Sequence, residues 1–151
     1  MDRFSDALNE ILVDVYQNIM LLEQQTIRKG NINLSINEMH IIDHIGKGGA
    51  DGLSVSEIAE KMNVTRPSAT VAVSKLEKKG YVQKIDCEKD GRIVYVVLTR
   101  EGRKIDKFHQ YYHRNMVREI SAGLSDEEKD CLMKVIRKLD DYFLKSIGGR
   151  K

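Results

Sequence analysis

Apolar residues near the start of the chain fall at Leu8, Ile11, Leu12, Val15, Ile19 and Leu22, in steps of three and four between polar neighbours. That spacing returns to one side of an α-helix at every turn, and it predicts a helix from about Arg3 to Lys29, stopped by Gly30 and Asn31. Three later segments open with serine followed three residues on by glutamate: Ser35/Glu38, Ser54/Glu57 and Ser125/Glu128. In such a capping box each side chain accepts from the backbone N–H at the other position, which satisfies donors that a helix start leaves open. The boxes predict a helix from Ile36 to about Ile45 ending at Gly46, a short helix over SVSEIAEKM, and a last helix striped by Leu132, Val135, Ile136, Leu139 and Phe143. Thr65 caps another helix, TRPSATVAVSKLEKKG, with Pro67 in its first turn, where a missing N–H is no loss, and Gly80 placed as the left-handed residue past its end. YVQKID and IVYVVL are β-rich, and Asp90-Gly91 between them is a hairpin turn signal. After Leu98-Thr99 a long helix runs from about Arg100 to Ser121. The chain is therefore mainly α with a small β-wing, in the order α-α-β-α-α-β-β-α-α, a winged helix-turn-helix flanked by long helices.

Projected at 100° per residue, the fourth helix gathers Ala69, Ala72, Val73 and Leu76 on one side, which must face a core. Its other side carries Pro67, Thr70, Val71, Ser74 and Lys78, with Lys75 beside them and Thr65 and Ser68 at the start. That surface is short-chained and uncharged until its last turn, so it can enter a DNA major groove. Hydroxyls there meet base edges and Val71 meets a thymine methyl. Arg66 reaches guanine or a phosphate, and Lys75, Lys78 and Lys79 suit phosphates. Any solvated helix presents polar residues, so the fourth helix alone does not decide. The hairpin beside it does, because its tip offers Lys89, Asp90 and Arg92, placed for the minor groove.

Composition narrows the class. The 151 residues are 41% hydrophobic and 32% charged, enough for one folded domain with an oligomerisation extension. Net charge is only +2, but from Lys61 to Lys107 the basic residues outnumber the acidic about two to one, putting a basic zone over the winged segment. Two cysteines without a CxxC, an acidic start unlike a secretory leader and no membrane-length apolar run point to a soluble cytoplasmic protein. Cys131 is expected in the core and Cys87 at the wing. No Ser-His-Asp set, Gly-rich phosphate loop or HExxH motif supports an enzyme.

LSVSEIAEKMNVTRPSATVAVSKLEKKGYV, the wing DGRIVYVVLTREG and the flanking helices together resemble the MarR family of bacterial transcriptional regulators across essentially the whole chain. KLEKKGYV, a D-x-R wing and LTxxG carry the resemblance most specifically. It implies a homodimer knit by residues 1–33 and 103–151. Residues 34–102 would then be the DNA-binding domain, presented to one half of a pseudo-palindromic operator in double-stranded DNA. Within the family, EMHIIDHIGK and the HxxxH-xxMV of the fifth helix look closest to the FabT branch, repressors of fatty-acid synthesis genes that answer to acyl-acyl carrier protein.

The fifth helix also carries KFHQYYHR, whose His109 and His113 fall with Ile105, Tyr112, Met116 and Ile120 on the apolar side. Buried imidazoles need a hydrogen-bond partner or a metal. Zinc-sensing members of the family place ligands where this chain has Glu23, His40, His109 and His113, a set that suits tetrahedral zinc. Three roles stay open: a zinc site, a structural cluster tying the first two helices to the fifth, or the lining of an acyl or other small-molecule effector pocket. No cofactor is required for the fold itself.

Overall fold

The computed structural model describes residues 2–86 and 91–148. Helix α1 (Arg3–Lys29) is capped by Asp2, whose carboxylate accepts from the Ser5 amide at 2.8 Å. Then come α2 (Ile36–Lys47), a single 3₁₀ turn (Gly49–Asp51), β1 (Leu53–Ser54), α3 (Val55–Met62) and α4 (Arg66–Lys78). Strands β2 (Val82–Asp86) and β3 (Val94–Leu98) follow, then α5 (Arg100–Ala122) and α6 (Asp126–Ser146). The order is the expected one, and the wing hairpin and its flanking helices stand where the sequence put them.

Local chemistry explains the boundaries. Both bonds of the capping box are made at Ser35/Glu38 and at Ser125/Glu128. At Ser54/Glu57 the return bond differs: the Ser54 hydroxyl accepts from the Glu57 amide and donates to the Glu57 carboxylate, both at 3.1 Å. Ser54 is at the same time a strand residue, paired with Tyr95. Thr65 caps α4 by accepting from the Ser68 amide, and Gly80 takes φ +85° after its end. One expected boundary is wrong. Helix α2 does not stop at Gly46 but continues to Lys47 and is closed by Gly48. Gly46 is glycine because of packing: a Cβ there would lie 2.3 Å from Asp106 Oδ2 on α5.

The three strands form an antiparallel sheet in the order β1-β3-β2, with Val82 opposite Leu98 and Leu53 opposite Val96. Against it pack Met39, Ile42 and Ile45 of α2, Ile58 of α3, and Val73 and Leu76 of α4, with Val82 and Val96 of the sheet, all fully buried. Each such side chain contributes roughly 1.5–3 kcal/mol. The predicted core side of α4 is therefore the observed one, with Ala72 only half-buried.

The junction after the wing is tightly tied. The Thr99 amide donates to the Tyr81 carbonyl at 3.0 Å, and its hydroxyl donates to the Gly80 carbonyl at 2.6 Å while accepting from the Gly102 amide at 3.1 Å. These bonds fix the end of α4 to the start of α5, and they account for the LTREG motif.

The chain falls into two units, Met1–His109 and Gln110–Lys151. In the first, α1 buries only Glu23 and Ile27, and its stripe residues Ile11, Val15, Ile19 and Leu22 are exposed. In the second, α6 buries none of its residues, and Leu132, Val135, Ile136 and Phe143 are exposed. The stripes are present as predicted, and these residues of each are exposed among the described residues. Cys131, expected in the core, is likewise exposed, and Cys87 lies outside the described residues. No helix among the described residues is long and apolar enough to cross a membrane.

Candidate nucleic-acid interface and buried histidine cluster

Along α4, Pro67, Thr70 and Val71 stand exposed, Val71 at 56%, with Arg66, Ser68, Lys75 and Lys78 on the same open surface and Thr65 at its cap. An exposed valine beside hydroxyls and cations is an uneconomical surface in water and a suitable one against base edges. Arg66 joins this surface to the wing, since its guanidinium donates to the main-chain carbonyl of Arg92 at 3.4 Å. A cleft of about 260 Å³ lies between them, walled by Glu57 of α3 and Tyr95 of β3. Arg92 is thus placed beside the start of α4. Lys89 and Asp90 lie outside the described residues.

Two lysines have duties that the sequence reading did not assign. Lys79, expected on phosphates, is held by Glu38 at the start of α2, with Nζ 2.9 and 3.0 Å from the two carboxylate oxygens. Burial pushes the Glu38 carboxyl up, but the Ser35 amide and Lys79 outweigh it and hold the group below its ordinary range. Ser74, expected on the reading face, is half-buried and accepts from Lys84 Nζ at 2.9 Å. Lys84 sits on β2, at a position whose alternation with Gln83 and Ile85 points it toward α4. A lysine at an inward strand position was the available signal.

The structure brings Glu23, His40 and His109 together. Glu23 is 4% exposed and His109 7%. One carboxylate oxygen, Glu23 Oε1, lies 3.0 Å from His109 Nε2 and 3.3 Å from His40 Nε2. Asp43 of α2, which the sequence reading passed over, pairs through Oδ2 with Lys47 at 2.9 Å and has Oδ1 3.8 Å from His109 Nδ1, beyond hydrogen-bond range. Buried Asp106 lies one turn before His109, at the edge of the apolar stripe, and was also missed. His113 follows one turn after His109 on α5, half-buried, with its ring edge-on to Tyr112 at 5.1 Å. His44 is half-buried.

Glu23 and His109 are spaced as two zinc ligands could be, but His40 does not fall with them in one ion-sized group. Ligands held about 2.0–2.1 Å from a tetrahedral ion lie roughly 3.3 Å from one another. The Glu23–His40 and Glu23–His109 separations match that spacing, and they match direct hydrogen bonds equally. Through Nε2 coordination each ring would turn Nδ1 outward, and Asp43 stands on that side of His109.

Comparison with known proteins adds the following. The MarR family model matches residues 32–93. The HTH-type transcriptional regulator PchR of Bacillus subtilis is 24% identical over 155 aligned residues, covering 89% of each chain. The crystal structure of Streptococcus pneumoniae FabT in complex with DNA superposes with a TM-score of 0.89 at 33% identity, covering 95% of this chain and 99% of that one. The DNA complex of Staphylococcus aureus MepR has a TM-score of 0.75 at 18% identity over 89% of this chain and 96% of that one, a likeness of fold.

Proposed function

The chain belongs to the MarR family of transcriptional regulators, and on that premise we propose that it binds duplex DNA as a homodimer, each protomer offering α4 and its wing to one half of a pseudo-palindromic operator. The observation that carries this reading is the exposed Pro67-Thr70-Val71 face with Arg66 tied to Arg92 at its edge. Exposed apolar stripes on α1 and α6 supply the faces that a second copy would cover. The whole-length likeness to S. pneumoniae FabT supports a finer proposal, repression of fatty-acid synthesis genes in response to an acyl ligand or acyl-carrier protein.

Titration against duplex fragments from the upstream region of its own gene tests the core of this. If six to ten phosphates are neutralised, affinity falls about 10³–10⁵-fold between roughly 50 and 200 mM salt. Sedimentation should give twice the 17.3 kDa chain mass. A monomer, or a dimer indifferent to every such fragment at low salt, overturns the proposal.

A second reading rests on the burial of Glu23 and His109 together, with donor atoms 3.0 Å apart. Here Glu23, His40, His109 and His113 hold zinc, and the ion tunes operator binding. Protein purified without chelator should then carry near one zinc per protomer, lost in His109→Ala, and its operator affinity should respond to added zinc. Protein that retains none and binds DNA identically with and without zinc leaves these residues as a hydrogen-bonded tie between α1, α2 and α5.

A further inference from the structure

Lys84 lies on the strand behind the reading helix, yet its ammonium is directed onto that helix. Nζ donates to the Ser74 hydroxyl at 2.9 Å and stands 4.0 Å from the Glu77 carboxylate, while the Lys84 amide donates to Glu77 Oε2 at 3.1 Å. The bonds link β2 of the wing to α4 at two successive turns. Ser74 is one turn beyond Thr70 and three residues beyond Val71, at the edge of the exposed face.

We infer that Lys84 is a positioning residue for DNA reading, acting through Ser74; this rests on the reading of α4 as the DNA-contacting helix. An ammonium has three donors and no acceptor, so it occupies a lone pair of the Ser74 oxygen and turns the hydroxyl hydrogen away from itself. A hydroxyl that accepts from a cation is also a stronger donor. Ser74 is thereby fixed as a donor, suited to acceptors in the groove such as guanine O6 and N7 or thymine O4. Glu77 offsets the charge of Lys84, which separates its role from that of a phosphate-binding lysine. The second consequence is mechanical. The strand cannot shift along α4 without breaking both bonds, so helix and wing approach DNA with a set spacing.

The probe is the duplex that wild-type protein selects from a random-sequence pool, compared with a scrambled duplex of equal length. Lys84→Met and Ser74→Ala should each lower discrimination between the two duplexes about tenfold, and the double variant should lose no more than either, because the two residues act as one unit. Lys84→Arg, which keeps a donor in reach of Ser74, should recover most of the loss. The salt slope should stay at its wild-type value throughout. A slope lower by about one in Lys84→Met would make it a phosphate contact; that result, additive losses in the double variant, or unchanged discrimination would each overturn the inference. Failure of the wild-type chain to select any duplex would instead overturn the DNA-binding proposal itself.

Discussion

Gly102→Val is expected to lower the stability of the fold by about 3 kcal/mol or more, read as a shift in the urea or thermal unfolding midpoint. A Cβ at this position would lie 2.0 Å from the Tyr81 carbonyl oxygen and 3.1 Å from its carbon, and both are backbone atoms that cannot swing aside. The same carbonyl accepts from Thr99, so retreat would break the junction that sets α5 after the wing. Gly102→Ala makes the sharper test, because two effects oppose each other. Alanine in a helix interior is favoured over glycine by roughly 0.5–1 kcal/mol through chain entropy. Overpacking against a fixed carbonyl costs about 1–3 kcal/mol, so packing should win and Gly102→Ala should also be less stable than wild type. At this chain length each kcal/mol moves the midpoint by about 2–4 °C. An alanine variant as stable as the parent would show that the contact between α5 and Tyr81 is not tight in solution.

The second large effect concerns DNA. The double variant Arg66→Ala/Arg92→Ala should reduce operator affinity by on the order of 10²-fold, with little change in melting temperature, because both side chains are exposed. Its signature depends on what the guanidiniums touch. Two phosphate contacts removed would flatten the salt slope by about two and weaken all sequences alike. Base contacts removed would leave the slope and erase preference at particular positions, at about 1–3 kcal/mol for each bidentate pair. Unchanged affinity would show that the edge where α4 meets the wing stays away from DNA. Competition binding with operator and scrambled duplexes at two salt concentrations reads all three results.

Much of this architecture was legible because the chain advertises its helix starts. Ser35, Thr65 and Ser125 cap where their spacing to the following side chains said they would, and Gly80 turns left-handed where it was expected. The core face of α4 followed from periodicity alone, since Ala69, Val73 and Leu76 share one side of any helix. Positions where two elements meet were less readable. Gly46 looked like a stop signal, and its reason for being glycine is an aspartate sixty residues later. Lys79 looked like a phosphate ligand until α2 brought Glu38 to it. The histidines were recognised as inward-facing, and Glu23 and His40 as their neighbours, but Asp43 and Asp106 were not. A carboxylate on a helix reads as solvated, and Asp43 does pair with Lys47 on its own helix; only the fold brings His109 near its other oxygen. Cys131 failed for a related reason: the apolar side of α6 was read as a core, and among the described residues α6 buries none of its side chains.

Thr99 is the only residue between β3 and α5. Strand register therefore sets the rotational phase of the helix, and nine residues beyond its first turn begins that phase determines whether His109 faces Glu23. One inserted residue at this joint would turn α5 by about 100° and carry His109 away from the carboxylate, with no chemical substitution at either. Homologous chains should accordingly tolerate changes of length at the loop before α2 more readily than here, where spacing itself behaves as a functional residue.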